Sequence, residues 1–100
     1  MSDDILDIEP GDALERQRAG ALLLDVRELD ERASGFAAGS VAMPRATVAE
    51  RIAALATSDR EILAICGSGK RSLLAAQTLR ELGYARSFSV RGGFARWQSE

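Results

Sequence analysis

Two short apolar runs constrain the architecture more than any other feature of this chain. Ala21-Leu22-Leu23-Leu24 and Ile62-Leu63-Ala64-Ile65 contain no polar side chain. A strand with one face in water alternates apolar and polar residues. A run without alternation reads as a strand buried on both faces, which needs a parallel sheet covered by helices on either side. The first run gives way to Asp25-Val26-Arg27-Glu28, and the second to Cys66-Gly67-Ser68-Gly69-Lys70-Arg71. Polarity therefore rises at the C-terminal ends of both strands, where open α/β sheets carry their sites.

The other elements are read around these two. A strand is expected over 5–8, closed by Pro10 and Gly11, and a helix over 11–18, ended by Gly20. The stretch 29–44 has no steady period and reads as a loop with one short strand near Val41. A helix is expected over 48–56, with Thr47 as N-cap, Glu50 completing a capping box, and Val48, Ile52 and Leu55 on one face. A longer amphipathic helix follows over 72–82, carrying Ala75, Ala76, Leu79 and Leu82 on one side, with Gly83 as its C-cap. A last strand is expected over 87–90. The turn Gly92-Gly93 then leads to a short helix in which Phe94 and Trp97 close onto the core. Alternation of strand and helix argues α/β with a mainly parallel sheet. At 100 residues without a linker or repeat, the chain reads as one domain, 1–100.

Composition narrows the chemistry. There is one Cys and no His. That excludes an internal disulfide, a zinc site built on several Cys, and any catalysis through a Ser-His or Cys-His pair. A formal net charge of -2 gives no global footprint for nucleic acid. No apolar run approaches the roughly 20 residues needed to span a membrane, and the first residues lack the basic and apolar regions of a signal peptide. A cytoplasmic protein with a reduced thiol is expected, and the chain, starting at Met1, reads as complete.

The segment carrying Cys66 is the site candidate. A lone Cys ending an apolar strand is ordinarily buried filler, but this one opens a strand–loop–helix. Gly67 and Gly69 allow a tight turn whose amides face inward. The helix after it contributes unpaired N–H groups and positive dipole potential. Lys70 and Arg71 add formal positive charge. Together these make an anion site at which a thiol should ionise more readily and serve as a nucleophile without His. Neither GxGxxG nor GxxxxGK[ST] is present, so a nucleotide loop has little support. Protein tyrosine phosphatases use Cys, five residues, then Arg; here four residues separate Cys66 from Arg71. The shorter loop should form a tighter cradle, matched to a sulfur and its attached group better than to phosphate.

Read together, LLLDVRE (22–28), the Gly35-to-Pro44 stretch, CGSGKRS (66–72), LGY (82–84) and GGFARW (92–97) resemble the rhodanese-like single-domain sulfurtransferases over nearly the whole chain. The resemblance implies a three-layer α/β fold with a central, mainly parallel five-stranded sheet. It implies that Cys66 is catalytic, taking the outer sulfur of a thiosulfate-like donor as a persulfide and passing it to a thiol or cyanide. It also implies that Gly67, Ser68, Gly69, Lys70, Arg71 and Ser72 bind substrate, the amides holding the persulfide anion and the two cations the donor. No metal or organic cofactor is implied, and no nucleic-acid or membrane partner. A sulfur-carrier protein is a further implied partner, because a relay module delivering persulfide sulfur to cofactor or tRNA thiolation would use the same loop. A regulatory rhodanese-like domain is a third reading, opposed by the presence of Cys66. A phosphatase or arsenate reductase is opposed by loop length. Asp25 and Arg27 are read as structural, with the carboxylate pairing to fix neighbouring loops, and Arg45 is a candidate to face the pocket. The chain departs from the family pattern at Phe36, in place of a His, and at Ala42, in place of an Asn. The shape and polarity of that loop are therefore expected to differ.

Overall fold

The computed structural model describes residues 5–99. Five strands form one sheet in the order β1-β5-β4-β2-β3, with every pairing parallel. In chain order the elements are β1 (Asp7–Ile8), α1 (Pro10–Arg18), β2 (Leu22–Asp25), a 3-10 segment (Leu29–Ser34), β3 (Val41–Ala42), a 3-10 turn (Arg45–Thr47), α2 (Val48–Leu55), β4 (Ile62–Ile65), α3 (Lys70–Glu81), β5 (Ser87–Val90) and α4 (Gly93–Trp97). All four residues of β2 and all four of β4 are buried. The two strands lie side by side in the middle of the sheet, as their composition requires.

Strand alternation sorts these residues into two cores. Leu22, Leu24, Ile62, Ala64 and Cys66 face α2 and α3, where they meet Val48, Ile52, Ala75 and Leu79. Leu23, Leu63, Ile65 and Val90 face the other side, with Ala13 of α1 and the half-buried Phe94 and Trp97 of α4. The three-layer α/β arrangement is thus present. Cys66 continues the α3 side of β4.

Several local expectations are corrected. β1 covers only two residues, and Ile5 is exposed. Thr47 does not cap α2: its hydroxyl donates backward to the Pro44 carbonyl at 2.7 Å, because a 3-10 turn already leads into the helix. Leu55 and Leu82 are exposed where a core face was expected: Leu55 is the last residue of α2, and Leu82 is the C-cap that follows α3. α3 begins at Lys70 rather than Ser72, because Gly69, at φ +106°, turns the chain directly into the helix.

At the C-terminal end of β2, Asp25 is almost wholly buried and fully used. One carboxylate oxygen accepts from the Arg27 amide and from Arg27 Nε, both at 3.1 Å. The other accepts from Arg27 Nη2 at 3.0 Å and Arg32 Nη1 at 2.8 Å. Arg27 also donates to the Gly35 carbonyl, and Arg32 to Ser40. One buried carboxylate therefore fixes the irregular stretch 27–40 that carried no periodic signal. Phe36, exposed at the position of the family His, lies under the Arg32 guanidinium at 4.0 Å. Ala42 lies in β3, opposite Asp25. Replacing Asp25 with Ala leaves the Arg27 guanidinium buried without its carboxylate, and urea unfolding should show a loss of about 3–5 kcal/mol.

Candidate active site

Cys66 is the first residue after β4 and is completely buried. The chain then reverses through Gly67, Ser68 and Gly69 into α3. Two backbone amides reach the sulfur: Gly69 N–H donates to Sγ at 3.1 Å and Ser72 N–H at 3.3 Å. The Ser72 hydroxyl stands 3.4 Å from Sγ and 2.7 Å from the Ser89 hydroxyl on β5. Burial pushes the Cys66 thiol up. The Ser72 hydroxyl and the amides of Ser72, Gly69 and Ser68 pull the other way and prevail, so its pKa lies below the ordinary thiol value.

The loop is held from outside by α4. Phe94 N–H donates to the Cys66 carbonyl at 2.6 Å, and Ala95 N–H to the Gly67 carbonyl at 3.2 Å. A trans peptide points its C=O and the following N–H in opposite directions. Holding the Gly67 carbonyl outward therefore turns the Ser68 amide inward, toward the sulfur. This contact needs glycine. A Cβ on Gly93, at φ +61°, would collide with the Cys66 carbonyl and lie 2.6 Å from the Gly67 carbonyl carbon.

The expected substrate-binding residues divide into three groups. Ser68, Gly69 and Ser72 surround Sγ through amides and one hydroxyl. Gly67 is half-buried and contributes its carbonyl to the outer clamp. Lys70 is exposed at the first turn of α3 and has no ion-pair partner among the described residues. Arg71 is not free. Its Nη1 and Nη2 donate to the two oxygens of Glu31 at 2.6 and 3.0 Å, and its Nη2 lies 3.3 Å from where a Gly67 Cβ would stand. Glu31 also accepts from the Glu28 amide at 2.8 Å. Sequence reasoning missed Glu31, Ser89 and the α4 amides. The Glu28-to-Glu31 spacing fits a capping box and was a usable signal for Glu31. Neither the strand serine nor the backbone contacts leave one. Arg45 is exposed in the turn after β3. Among the described residues no group of three or more Cys, Asp or Glu could hold a metal ion, and no helix is long and apolar enough to cross a membrane.

A family model described as a rhodanese-like domain matches residues 9–100. The chain belongs to the rhodanese-like family. It is 33% identical over 99 residues to the thiosulfate sulfurtransferase GlpE of Pseudomonas aeruginosa strain LESB58, covering 99% of this chain and 89% of GlpE. It is 37% identical over 75 residues to a putative sulfur carrier protein, YrkF, of Bacillus subtilis strain 168, covering 75% of this chain but 40% of YrkF. Its fold matches the human single-domain sulfurtransferase TSTD1 with a TM-score of 0.86 at 25% identity, covering 94% of this chain and 96% of that one. The family is thus one of rhodanese-type sulfurtransferases, and this rhodanese-like domain carries its single Cys at the strand–loop–helix junction.

Two outcomes follow from the site geometry. The Arg71 hydrogen bonds, followed by the Glu28 amide, lower the Glu31 pKa from 4.5 to about 2. A lowered carboxyl pKa gives stability that is present above the unfolded value and lost as pH falls toward the folded one. The Glu31–Arg71 pair should therefore persist at neutral pH and break between about pH 4.5 and pH 2. Carboxyl-detected NMR titration of Glu31 reads this directly, and Arg71→Gln should move its midpoint back toward 4.5. Gly93→Ala must displace either α4 or the loop. Hydrogen exchange should show the Phe94 and Ala95 amides losing protection while those of β2 keep theirs.

Proposed function

We propose that this rhodanese-like domain, acting as one unit over residues 1–100, transfers sulfane sulfur through a persulfide on Cys66. The observation that carries the reading is the convergence of two backbone amides and the Ser72 hydroxyl on one buried sulfur. Such an arrangement stabilises an anion there without any His. The Cys66 thiolate attacks the outer sulfur of thiosulfate. The Sγ–S bond forms as the S–S bond of the donor breaks, and sulfite leaves with the bonding pair. The persulfide keeps one negative charge, and the loop amides of Gly67 through Ser72 hold it. An acceptor thiolate or cyanide then attacks the terminal sulfur and regenerates the Cys66 thiolate. Preorganised amides of this type are worth roughly 10²–10³ in rate.

Lys70 and Arg71 are the donor-binding charges in this reading. Lys70 is open to solvent. Arg71 lies over Gly67, above a sulfur that has no exposed surface. A dianionic donor competes with Glu31 for its guanidinium fork and draws it from the loop, which opens the way to Sγ. A second reading is supported by the similarity to a putative sulfur carrier protein: the same persulfide is handed to a protein acceptor in a relay. With one Cys, neither version has an internal thiol to discharge the persulfide.

Incubation with thiosulfate in the absence of reductant should add the mass of one sulfur atom to the intact protein and none to Cys66→Ser. No adduct on the unmodified protein overturns the reading. Replacing Lys70 and Arg71 together with Ala should raise the thiosulfate KM by more than about tenfold, the scale of losing charge-assisted contacts to an anion, while the thiol still alkylates. An unchanged dependence on donor concentration would remove both residues from donor binding.

A further inference from the structure

Ser89 lies on β5, on the face turned toward α3, and is fully buried. Its hydroxyl has one partner, Ser72 Oγ at 2.7 Å, and Ser72 Oγ has in turn Cys66 Sγ at 3.4 Å. No other hydrogen bond is available to either hydroxyl among the described residues. The three atoms form a closed line with two gaps. With Cys66 as a thiol, the line holds three protons: one on sulfur and one on each oxygen. Two gaps accommodate only two of them, so whichever way the hydroxyls rotate, one buried O–H or S–H is left without an acceptor. With Cys66 as a thiolate, two protons remain. Ser89 donates to Ser72, Ser72 donates to Sγ, and both gaps are filled. An unsatisfied buried donor is costly whereas a satisfied line is not.

We propose that Ser89 is a positioning residue for Cys66: its hydroxyl fixes the Ser72 rotor so that Ser72 donates to sulfur, and the closed serine pair thereby selects the thiolate. The Arg71 guanidinium also favours the thiolate electrostatically, but it makes no hydrogen bond to this line. Arg71 on α3 is engaged by Glu31 of the Leu29–Ser34 segment, with Glu28 beside it. Asp25 on β2 is engaged by Arg27 and Arg32. Lys70 points from the exposed first turn of α3, and Arg45 is exposed in its turn. From the α4 side the Phe94 and Ala95 amides meet the loop. β5 brings hydroxyls alone to this face, Ser89 and its neighbour Ser87.

Ser87 supplies the control. It is also a fully buried serine on β5, on the same face, but its Oγ has no hydrogen-bond partner. The test is a pH titration of thiolate ultraviolet absorbance in the full chain, with Cys66→Ser as the blank. The proposal rests on Cys66 acting as a thiolate, but the readout needs no sulfur donor, so it stands apart from the test of sulfur transfer. Ser89→Ala should raise the Cys66 midpoint by about one pH unit, the scale of one buried hydrogen bond. Ser89→Thr, which keeps the hydroxyl, should restore it. Ser87→Ala should leave it where it is. A Ser89→Ala midpoint equal to that of the unmodified protein overturns the proposal, and so does an equal shift in Ser87→Ala.

Discussion

The site depends on two hydrogen bonds that do not touch the sulfur. Phe94 and Ala95 donate to the carbonyls of Cys66 and Gly67. Those bonds commit two peptide planes to face outward, and planarity does the rest: the amides that follow must face inward. A loop with two glycines has many conformations open to it. The last helix selects the one in which the loop is a cradle. The Ser72 hydroxyl and the amides of Ser72, Gly69 and Ser68 together outweigh the burial of the sulfur, and the clamp turns the Ser68 amide among them inward. Without those donors, burial alone would favour the neutral thiol.

A second layer of constraint is electrostatic and comes from sequence that has no regular structure. Asp25, at the end of a buried strand, gathers Arg27 and Arg32. Those two arginines bind the carbonyls and hydroxyl of the stretch that follows. The same stretch presents Glu31 to Arg71. A buried carboxylate on β2 is thereby connected through two ion pairs to the helix that carries the loop. Each exposed pair alone is worth little. The buried one is different in kind, because it satisfies every oxygen site that burial would otherwise leave bare.

The parts of this structure legible in the sequence are those with a period or a punctuation mark. β2 and β4 announce themselves by the absence of alternation. The cradle announces itself because a nucleophile, two glycines and two cations fall between a strand and a helix. The less legible parts share one physical trait: they are set by contacts far apart along the chain. Ser89 looks like an ordinary strand serine until α3 is laid across β5. Arg71 reads as a free cation until the aperiodic 29–34 stretch is folded and Glu31 arrives beside it. Thr47 and Leu82 show the converse error, where a sound local rule was overridden by a preceding 3-10 turn and by a helix that ends one residue earlier, at Glu81.

The position of the outer clamp along the chain has a consequence for how the protein is made. The nucleophile is residue 66, but the amides that set its loop belong to residues 94 and 95. Strands β2 and β4 can pair and bury their apolar runs before those later residues are made, since chains acquire structure from the N-terminal side. The loop is fixed only once α4 has been synthesised and has docked, so it takes its selected conformation later than the sheet that carries it.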